Sequence, residues 1–301
     1  MCSRIAENIR ENAEMEKDIL SVIARESGGF SRGQRQIAKY ITDNYDKAAF
    51  MTAGKLGKTV GVSESTVVRF AAELGYDGYP GMRKALQEMI RNRLTSLQRI
   101  EVAKELIDAQ DVLRAVLSSD MEKLEITRDE MDQDSFNRAV EQILNAEHVY
   151  ILGMRSASSL ASFMGYYLGL LRDNVHVIRD MTYSEIYEQV MRIHEGDVFI
   201  GISYPRDSSR TVQAMKFARS MQADVIGITD GQNSPFVGIA DTMLFARSDM
   251  VSFLDSLVAP LSLINALIVA VGLRTDDKLS STFKRLEGIW SEFEVYETIG
   301  D

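Results

Sequence analysis

The sequence has few of the residues that stabilise secreted proteins or that bind metals through sulfur. Its only cysteine is Cys2, so the chain has no disulfide framework and no cysteine-based metal site. Residues 1–20 carry mixed charges without an apolar segment, so no signal peptide is expected. No internal repeat, low-complexity segment, P-loop or nucleophile elbow is visible either. These absences favour a globular protein of the reducing cytoplasm.

Long apolar segments are also scarce. The longest, residues 251–273, is interrupted by Asp255, Pro260, Ser262 and Asn265. Its length is marginal for crossing a bilayer, and polar residues inside a membrane are costly. We therefore predict a buried core helix or a subunit-interface helix here, and no membrane partner.

The net charge of −10 is unevenly distributed along the chain. Residues 31–99 carry twelve basic and six acidic side chains, whereas residues 1–30 carry four and six. The remaining two-thirds of the chain is therefore strongly acidic. Such a basic segment can neutralise DNA phosphates while the acidic body of the protein stays clear of the duplex.

Residues 53–72 have the pattern of a helix-turn-helix. The first helix is predicted to end at Val60, and Gly61 follows where the chain turns, because left-handed geometry is cheap only for glycine. Ser63 is predicted to cap the second helix. An ordinary helical hairpin is the alternative, but several spacings agree with two helices that cross steeply and share a core. The predicted core positions, with Gly57 at the closest approach, are Leu56, Val60, Val62, Val67 and Phe70.

The second helix of this motif presents short polar side chains and one arginine, which suit contacts with base edges and phosphates. The residues predicted to contact DNA are Ser63, Ser65, Thr66 and Arg69. Further basic side chains are lesser candidates for phosphate contacts, and a solvated helix face explains some of them equally well. These candidates are Lys55, Lys58, Arg83 and Lys84.

From residue 148 onward the hydrophobic pattern changes from helical spacing to short apolar runs that alternate with helices. Such alternation predicts a parallel sheet of about five strands, flanked by helices on both faces. The predicted strands are HVYILG (148–153), NVHVI (174–178), DVFIGIS (197–203), DVIGITD (224–230) and TMLFA (242–246). The expected fold is thus an all-α helix-turn-helix bundle followed by an α/β domain. We predict a DNA-binding domain over 1–95, a helical linker over 96–130 and the sheet domain over 131–301.

Three loops at the predicted strand ends are rich in hydroxyl groups: 153–159, 203–211 and 229–235. Ligands of open parallel sheets bind beyond the carboxyl ends of the strands, where helix N-termini offer N–H groups and a positive dipole end. Any one of these serines is explained as a helix cap. Their presence on adjacent strand ends favours a shared pocket for a phosphate group.

The helix-turn-helix GVSESTVVRFAAELGYDGY, joined to a sheet domain with these loops, resembles the RpiR family of bacterial transcription regulators. The resemblance covers nearly the whole chain, and it is most specific over residues 50–79. It implies an N-terminal DNA-binding domain and a C-terminal sugar isomerase (SIS) domain that senses phosphosugars. It also implies a five-stranded parallel sheet and assembly as a homodimer or homotetramer. We expect no cofactor.

Two loops depart from the pattern of that family. The first commonly reads G-x-G-x-S, but Arg155 replaces its second glycine and Ala157 its serine. The second commonly reads S-x-S-G-x-[ST], but Pro205 and Arg206 replace its central serine and glycine. Arginine gives planar, bidentate recognition of phosphate or carboxylate. The residues predicted to bind a small anionic sugar ligand are Arg155, Ser156, Ser158, Ser203, Arg206 and Ser208.

Two alternatives remain open from the sequence. The arginines could fill the emptied space and pair with carboxylates such as Asp207 or Asp230. The chain could also be a sugar-phosphate isomerase with a helical extension, but an isomerase needs a positioned base and acid. The three histidines His148, His176 and His194 lie where histidine is more often structural. We therefore predict a non-enzymatic regulator that binds a double-stranded, pseudo-palindromic operator, with no catalytic residue and no metal.

Overall fold

The protein is described here by a computed structural model, in which the chain divides into two compact units. The first unit comprises Met1–Val116 and Met250–Leu254, and the second comprises Leu117–Asp249 and Asp255–Asp301. The predicted linker 96–130 falls partly outside the described residues, so the boundaries at 95 and 130 stay predictions. The structure describes residues 19–91, 97, 100, 104, 111–179, 182–204, 207–248 and 254–295.

The first unit is helical throughout its described core. Its helices are α1 (Ile19–Glu26), α2 (Arg32–Asp43), α3 (Tyr45–Ala48), α4 (Ala53–Val60), α5 (Glu64–Glu73) and α6 (Gly78–Arg91). Helix α2 begins with a capping box, in which the Ser31 hydroxyl accepts from Gln34 N and the Gln34 side chain accepts from Ser31 N. Phe30, just before it, packs edge-on against Phe70 of α5 with ring centroids 5.3 Å apart. The contact between the two rings attaches the helix-turn-helix to the rest of the bundle.

The helix-turn-helix forms where the sequence predicts it. Helix α4 ends at Val60, and Gly61 adopts the left-handed conformation at φ 77°. Ser63 caps α5, because its hydroxyl accepts from Thr66 N at 3.2 Å. Three of the predicted core residues are fully buried, and Val60 and Val62 are partly buried against them. The fully buried residues are Leu56, Val67 and Phe70.

Tyr79, in the first turn of α6, ties this helix to the chain that precedes α4. Its hydroxyl donates to the Met51 carbonyl at 2.9 Å, and the residue is 4% exposed. Burial raises the pKa of Tyr79 to about 12, which nearby Arg83 opposes. The folded unit therefore retains this proton at pH values where an unfolded tyrosine, with a pKa near 10, has lost it.

We expect Tyr79 to make the first unit sensitive to alkaline pH. The raised pKa gives a stability contribution that is complete below pH 10 and is lost as the pH rises through about 12. The full loss is about 2–3 kcal/mol in the free energy of unfolding. Unfolding of the wild type and of Tyr79→Phe should be compared between pH 8 and pH 11.5. The free energy of unfolding of the wild type, measured relative to that of Tyr79→Phe, should fall above pH 10. A difference that stays constant from pH 8 to pH 11.5 would contradict the expectation.

The second unit contains two helices and then a sheet domain. The helices before the sheet are α7 (Val112–Glu130), which begins just inside the first unit, and α8 (Gln133–Asn145). The strands are β1 (Val149–Gly153), β2 (Val175–Ile178), β3 (Val198–Ile202), β4 (Asp224–Thr229) and β5 (Thr242–Phe245). The remaining helices are α9 (Ala157–Leu171), α10 (Tyr183–Val190), α11 (Ser209–Ser220), α12 (Val258–Arg274) and α13 (Asp276–Glu292).

The five strands form one parallel sheet in the order β2-β1-β3-β4-β5. Side chains alternate between its faces, so Ile151 of β1 joins the core beneath α8, α9 and α12, whereas Leu152 joins the core beneath α10 and α11. Strands β1 and β3 are buried along their whole length. The predicted fold, a helical bundle followed by a parallel five-stranded sheet with helices on both faces, is confirmed.

The long apolar segment of the sequence forms α12, which packs in the core through residues such as Leu263, Ile264 and Leu267. Residues 251–253 of that segment lie outside the described residues. Among the described helices, none is by itself both long and apolar enough to cross a bilayer. One bent pair, α12 with Leu279–Glu292 at 103°, meets the length and composition requirement jointly.

Candidate functional site

Helix α5 presents an exposed face opposite its buried one. Val67 and Phe70 point into the core, whereas Ser65, Val68 and Arg69 are exposed. The division follows from helical periodicity, because positions three residues apart share a face. Of the predicted DNA contacts, Ser65 and Arg69 therefore lie on the exposed face of this helix, Ser63 is exposed just before it, and Thr66 is half-buried.

Ser63 joins the hydroxyl groups at the start of α5. Its oxygen lies 2.9 Å from Ser65 Oγ and 2.8 Å from Thr66 Oγ1, besides accepting from Thr66 N. This network fixes the first turn of the helix and holds the hydroxyls of Ser65 and Thr66 together at its N-terminus. The N-terminus of a helix carries the positive end of the helix dipole, and with hydroxyl groups held there it is well suited to bind a DNA phosphate.

Basic side chains come from both helices of the motif and from α6. Lys55, Lys58 and Lys84 are exposed, and Arg83 is half-buried beside Tyr79. Together with Arg69 they are the predicted phosphate contacts, and each stays a prediction. They lie on α5 and on α4 and α6, the two helices of the motif region that pack against α5.

The loop after β1 keeps an unusual backbone conformation. Arg155 replaces a glycine that is common at this position in the RpiR family. Its φ of 56° lies in the left-handed region that favours glycine. A non-glycine residue there costs about 1 kcal/mol or more. Its side chain is exposed. Ala157, in place of the family's serine, is fully buried and starts α9.

The serines of this loop differ in what their hydroxyls do. Ser158 Oγ donates to the Arg155 carbonyl at 2.6 Å, so its proton is already engaged within the loop. Ser156 occupies the N-cap position of α9 without a side-chain capping bond. A phosphate oxygen can only accept, so Ser156 is the better placed of the two predicted serines to donate to it.

The loop after β3 brings two of the predicted residues together. Ser203 is buried, and its hydroxyl accepts from Ser208 N at 3.2 Å. Ser208 occupies the N-cap position just before α11 and makes no side-chain capping bond. Arg206 and Pro205 lie outside the described residues, so the predicted role of Arg206 stays a prediction.

Two hydrogen bonds connect this loop to the loop after β4. Tyr204 Oη donates to the Thr229 carbonyl at 3.1 Å, and Ser234 Oγ donates to Asp207 Oδ1 at 2.9 Å. Asp207, which the sequence offered as a partner for an arginine, thus accepts from Ser234. The two loops share one rim at the carboxyl-terminal edge of the sheet.

Thr211 is a residue of this region that the sequence analysis did not select. It lies in the first turn of α11, is fully buried, and its hydroxyl has no hydrogen-bond partner in the described part of the chain. A buried hydroxyl without a partner costs free energy. The signal that could have identified it is its position at the end of SSRT, where a helix begins soon after a strand.

The three histidines lie at the opposite edge of the sheet. His148 precedes β1, His176 is in β2, and His194 is in the turn before β3, all near the amino ends of the strands. A general base must reach the proton that it abstracts within hydrogen-bond distance. These histidines are therefore not placed to act on a ligand held by the loops at the carboxyl ends.

Comparison with known families divides the chain in the same way as its structure. Residues 17–93 match the family model of the helix-turn-helix domain of the rpiR family. Residues 142–270 match the family model of the SIS domain. The helix-turn-helix and the sheet described above fall within these two matches.

Similar curated proteins are HTH-type transcriptional regulators. HexR of Pseudomonas aeruginosa is 22% identical over 275 residues, which cover 90% of this chain and 95% of HexR. An uncharacterised regulator of Caldanaerobacter subterraneus is 23% identical over 261 residues, covering 84% of this chain and 90% of the relative. The similarity therefore extends through both domains.

Solved structures show the same architecture. The NanR protein of Vibrio vulnificus, solved in complex with ManNAc-6P, has a TM-score of 0.56 and 22% identity, covering 90% of this chain and 98% of that one. The sugar isomerase domain of an RpiR transcription factor from Sphaerobacter thermophilus has a TM-score of 0.56 and 25% identity, covering 59% of this chain and 98% of that one. With both of its domains matched, this chain belongs to the RpiR family of transcriptional regulators.

Proposed function

We propose that this protein is a ligand-responsive transcription regulator of the cytoplasm that binds double-stranded operator DNA and is not an enzyme. Its SIS domain binds a small sugar phosphate or a related anionic sugar derivative. The observation that carries the proposal is a capped helix-turn-helix whose second helix exposes Ser65 and Arg69, on the same chain as a SIS domain. Homodimers or homotetramers set the spacing of two such helices on a pseudo-palindromic site.

The surface around α5 supports the DNA-binding part of the proposal. Its exposed hydroxyls and arginine supply donors for base edges and phosphates, and lysines on α4 and α6 supply further charge. The sheet domain is acidic, so a duplex is attracted to the first unit and repelled by the second.

The loops at the carboxyl edge of the sheet support the ligand part. The loop after β3 places two serines at the start of a helix, and the loop after β1 retains left-handed backbone at Arg155 despite its cost. Strain of this kind persists where the surrounding structure enforces it, and such positions cluster at ligand sites. The NanR relative was solved with a sugar phosphate, ManNAc-6P, which supports the same ligand class here.

Arg69→Ala is expected to weaken operator binding about tenfold, because it removes one contact worth roughly 1–3 kcal/mol. The probe is a duplex selected from a random library by the wild-type protein, measured by fluorescence anisotropy at fixed salt. Arg25→Ala is the matched control, because Arg25 is an exposed arginine of the same unit whose partner is the neighbouring Glu26. Unchanged affinity in Arg69→Ala would exclude Arg69 as a contact.

The same duplex tests the ligand part when it is titrated with and without sugar phosphates, including ManNAc-6P. A ligand acts only if it binds two arrangements of the protein with different affinity, which typically changes operator affinity five-fold or more. At least one hexose or hexosamine phosphate should have this effect, whereas its unphosphorylated sugar should not. No effect from any of them would refute the proposed ligand class.

A further inference from the structure

All three histidines of the chain converge at the amino-terminal edge of the sheet. His148 Nδ1 lies 3.1 Å from His176 Nε2, and their ring centroids are 5.3 Å apart. The His194 ring stands edge-on to His148 at a centroid distance of 6.4 Å. His148 is half-buried, and the other two histidines are exposed, so the cluster is open to solvent.

Two carboxylates belong to the same cluster. One ligand atom from each of Glu147, His194 and Asp197 lies within 4.8 Å of the other two. Asp197 is 1% exposed, and its two oxygens accept from His148 N at 3.1 Å and from His194 N at 3.0 Å. This buried carboxylate therefore holds the backbone of two histidines in place and puts a negative charge beside their rings.

His148 and His176 form a hydrogen bond with each other, in which one ring nitrogen donates and the other accepts. The group of described residues whose ligand atoms lie close enough to share one ion is Glu147, His194 and Asp197. These three side chains are therefore the candidate ligands, and the histidine pair lies beside them.

The chemistry of these side chains also indicates the class of metal. Imidazole with carboxylate support suits zinc, nickel and copper rather than magnesium or calcium.

We propose that this cluster binds one divalent transition-metal ion of the zinc class. Glu147, His194 and Asp197 are its protein ligands, and the hydrogen-bonded pair of His148 and His176 lies beside them. The site is separate from the proposed sugar site, because the five residues of β1 span about 16 Å between the two edges of the sheet. Such an ion connects the residue before β1 to the turn before β3.

The pattern of the sequence did not predict this site, and the reason is topological. Glu147 lies just before β1, whereas His194 and Asp197 lie before β3, in a distant part of the sequence, so the three have no spacing typical of a metal motif. They become neighbours only because β3 pairs with β1. Ligands supplied by one helix or one hairpin would have been visible in the sequence.

Zinc binding by the full-length chain tests the proposal. The protein is prepared without a polyhistidine tag and with Cys2→Ser in every variant, so that the single thiol does not contribute, and ZnCl₂ is titrated by calorimetry. We expect one ion per chain in the parent, and His194→Ala and Glu147→Gln each to weaken the affinity at least about tenfold. Asp224→Asn is the matched control, because Asp224 is an exposed carboxylate at the same edge of the sheet, and it should bind zinc like the parent.

Thermal unfolding gives a second readout that does not depend on the heat of binding. Saturating ZnCl₂ should raise the unfolding temperature of the sheet domain in the parent and in Asp224→Asn, because a ligand of the folded state stabilises it. The increase should be lost in His194→Ala and in Glu147→Gln. Absence of saturable zinc binding by the parent, or parental affinity in these two variants, would overturn the proposal.

Discussion

Gly57→Ala is expected to weaken specific operator binding strongly and to destabilise the helix-turn-helix unit. A Cβ atom at Gly57 would lie 2.8 Å from the Val62 carbonyl oxygen, closer than such atoms approach in real structures. Gly57 O also accepts from the backbone N–H groups of Gly61 and Val62, which close the turn between α4 and α5. Any displacement of Gly57 therefore moves α5.

The sizes of two opposing contributions decide whether Gly57→Ala stabilises or destabilises the unit. Alanine has a higher helix propensity than glycine by up to about 1 kcal/mol. Overpacking costs about 1–3 kcal/mol, and its upper end applies here because the obstacle is backbone. The unit should lose about 1–2 kcal/mol in the free energy of unfolding, and displaced base contacts should reduce operator affinity about 10- to 100-fold.

Gly28→Ala is the control for this experiment. Gly28 lies in the same unit, and a Cβ atom there meets nothing within 4 Å. Its stability and its operator affinity should match those of the wild type. Wild-type stability and DNA affinity in Gly57→Ala would show that the two helices do not approach as closely as described.

Gly153→Ala is expected to destabilise the sheet domain by about 3 kcal/mol or more. An added Cβ atom would lie 2.3 Å from the Ala157 carbonyl oxygen and 3.2 Å from Ala161 Cβ. Both obstacles belong to α9, so the change displaces that helix and the loop that carries Arg155 and Ser156. Chemical denaturation followed by circular dichroism measures this loss.

Gly169→Ala is the matched control, because Gly169 is an exposed residue of the same helix and its added Cβ meets nothing within 4 Å. Its helix propensity should stabilise α9 by up to about 1 kcal/mol. Gly153→Ala should therefore destabilise the sheet domain, whereas Gly169→Ala should stabilise it. A similar effect of both would contradict the close packing at Gly153.

The fold was predictable to the extent that local chemistry determines it. Ser63 and Gly61 mark the turn of the helix-turn-helix because capping and left-handed backbone have strong residue preferences. The strands were visible because those of a parallel sheet are apolar on both faces, as in β1 and β3. Hydrogen bonds between distant loops, such as that of Ser234 with Asp207, have no such local signal.

The candidate ligand site was predictable only as a location. The order of strands and loops identified the edge of the sheet where a ligand binds, but not which hydroxyls remain available there. Ser158 donates to Arg155 within its own loop, and Thr211 is buried with an unsatisfied hydroxyl. Both facts depend on side-chain orientation, which a sequence pattern does not contain.

The hydrogen bonds between the loops after β3 and β4 have a consequence for how specificity changes in this protein. Tyr204 holds the loop after β3 to Thr229 at the end of β4, and Asp207 holds it to Ser234 in the loop that follows β4, so neither loop moves alone. A substitution that reshapes one loop for a new sugar therefore imposes a strain on the other. Ligand preference is expected to change through paired substitutions in both loops.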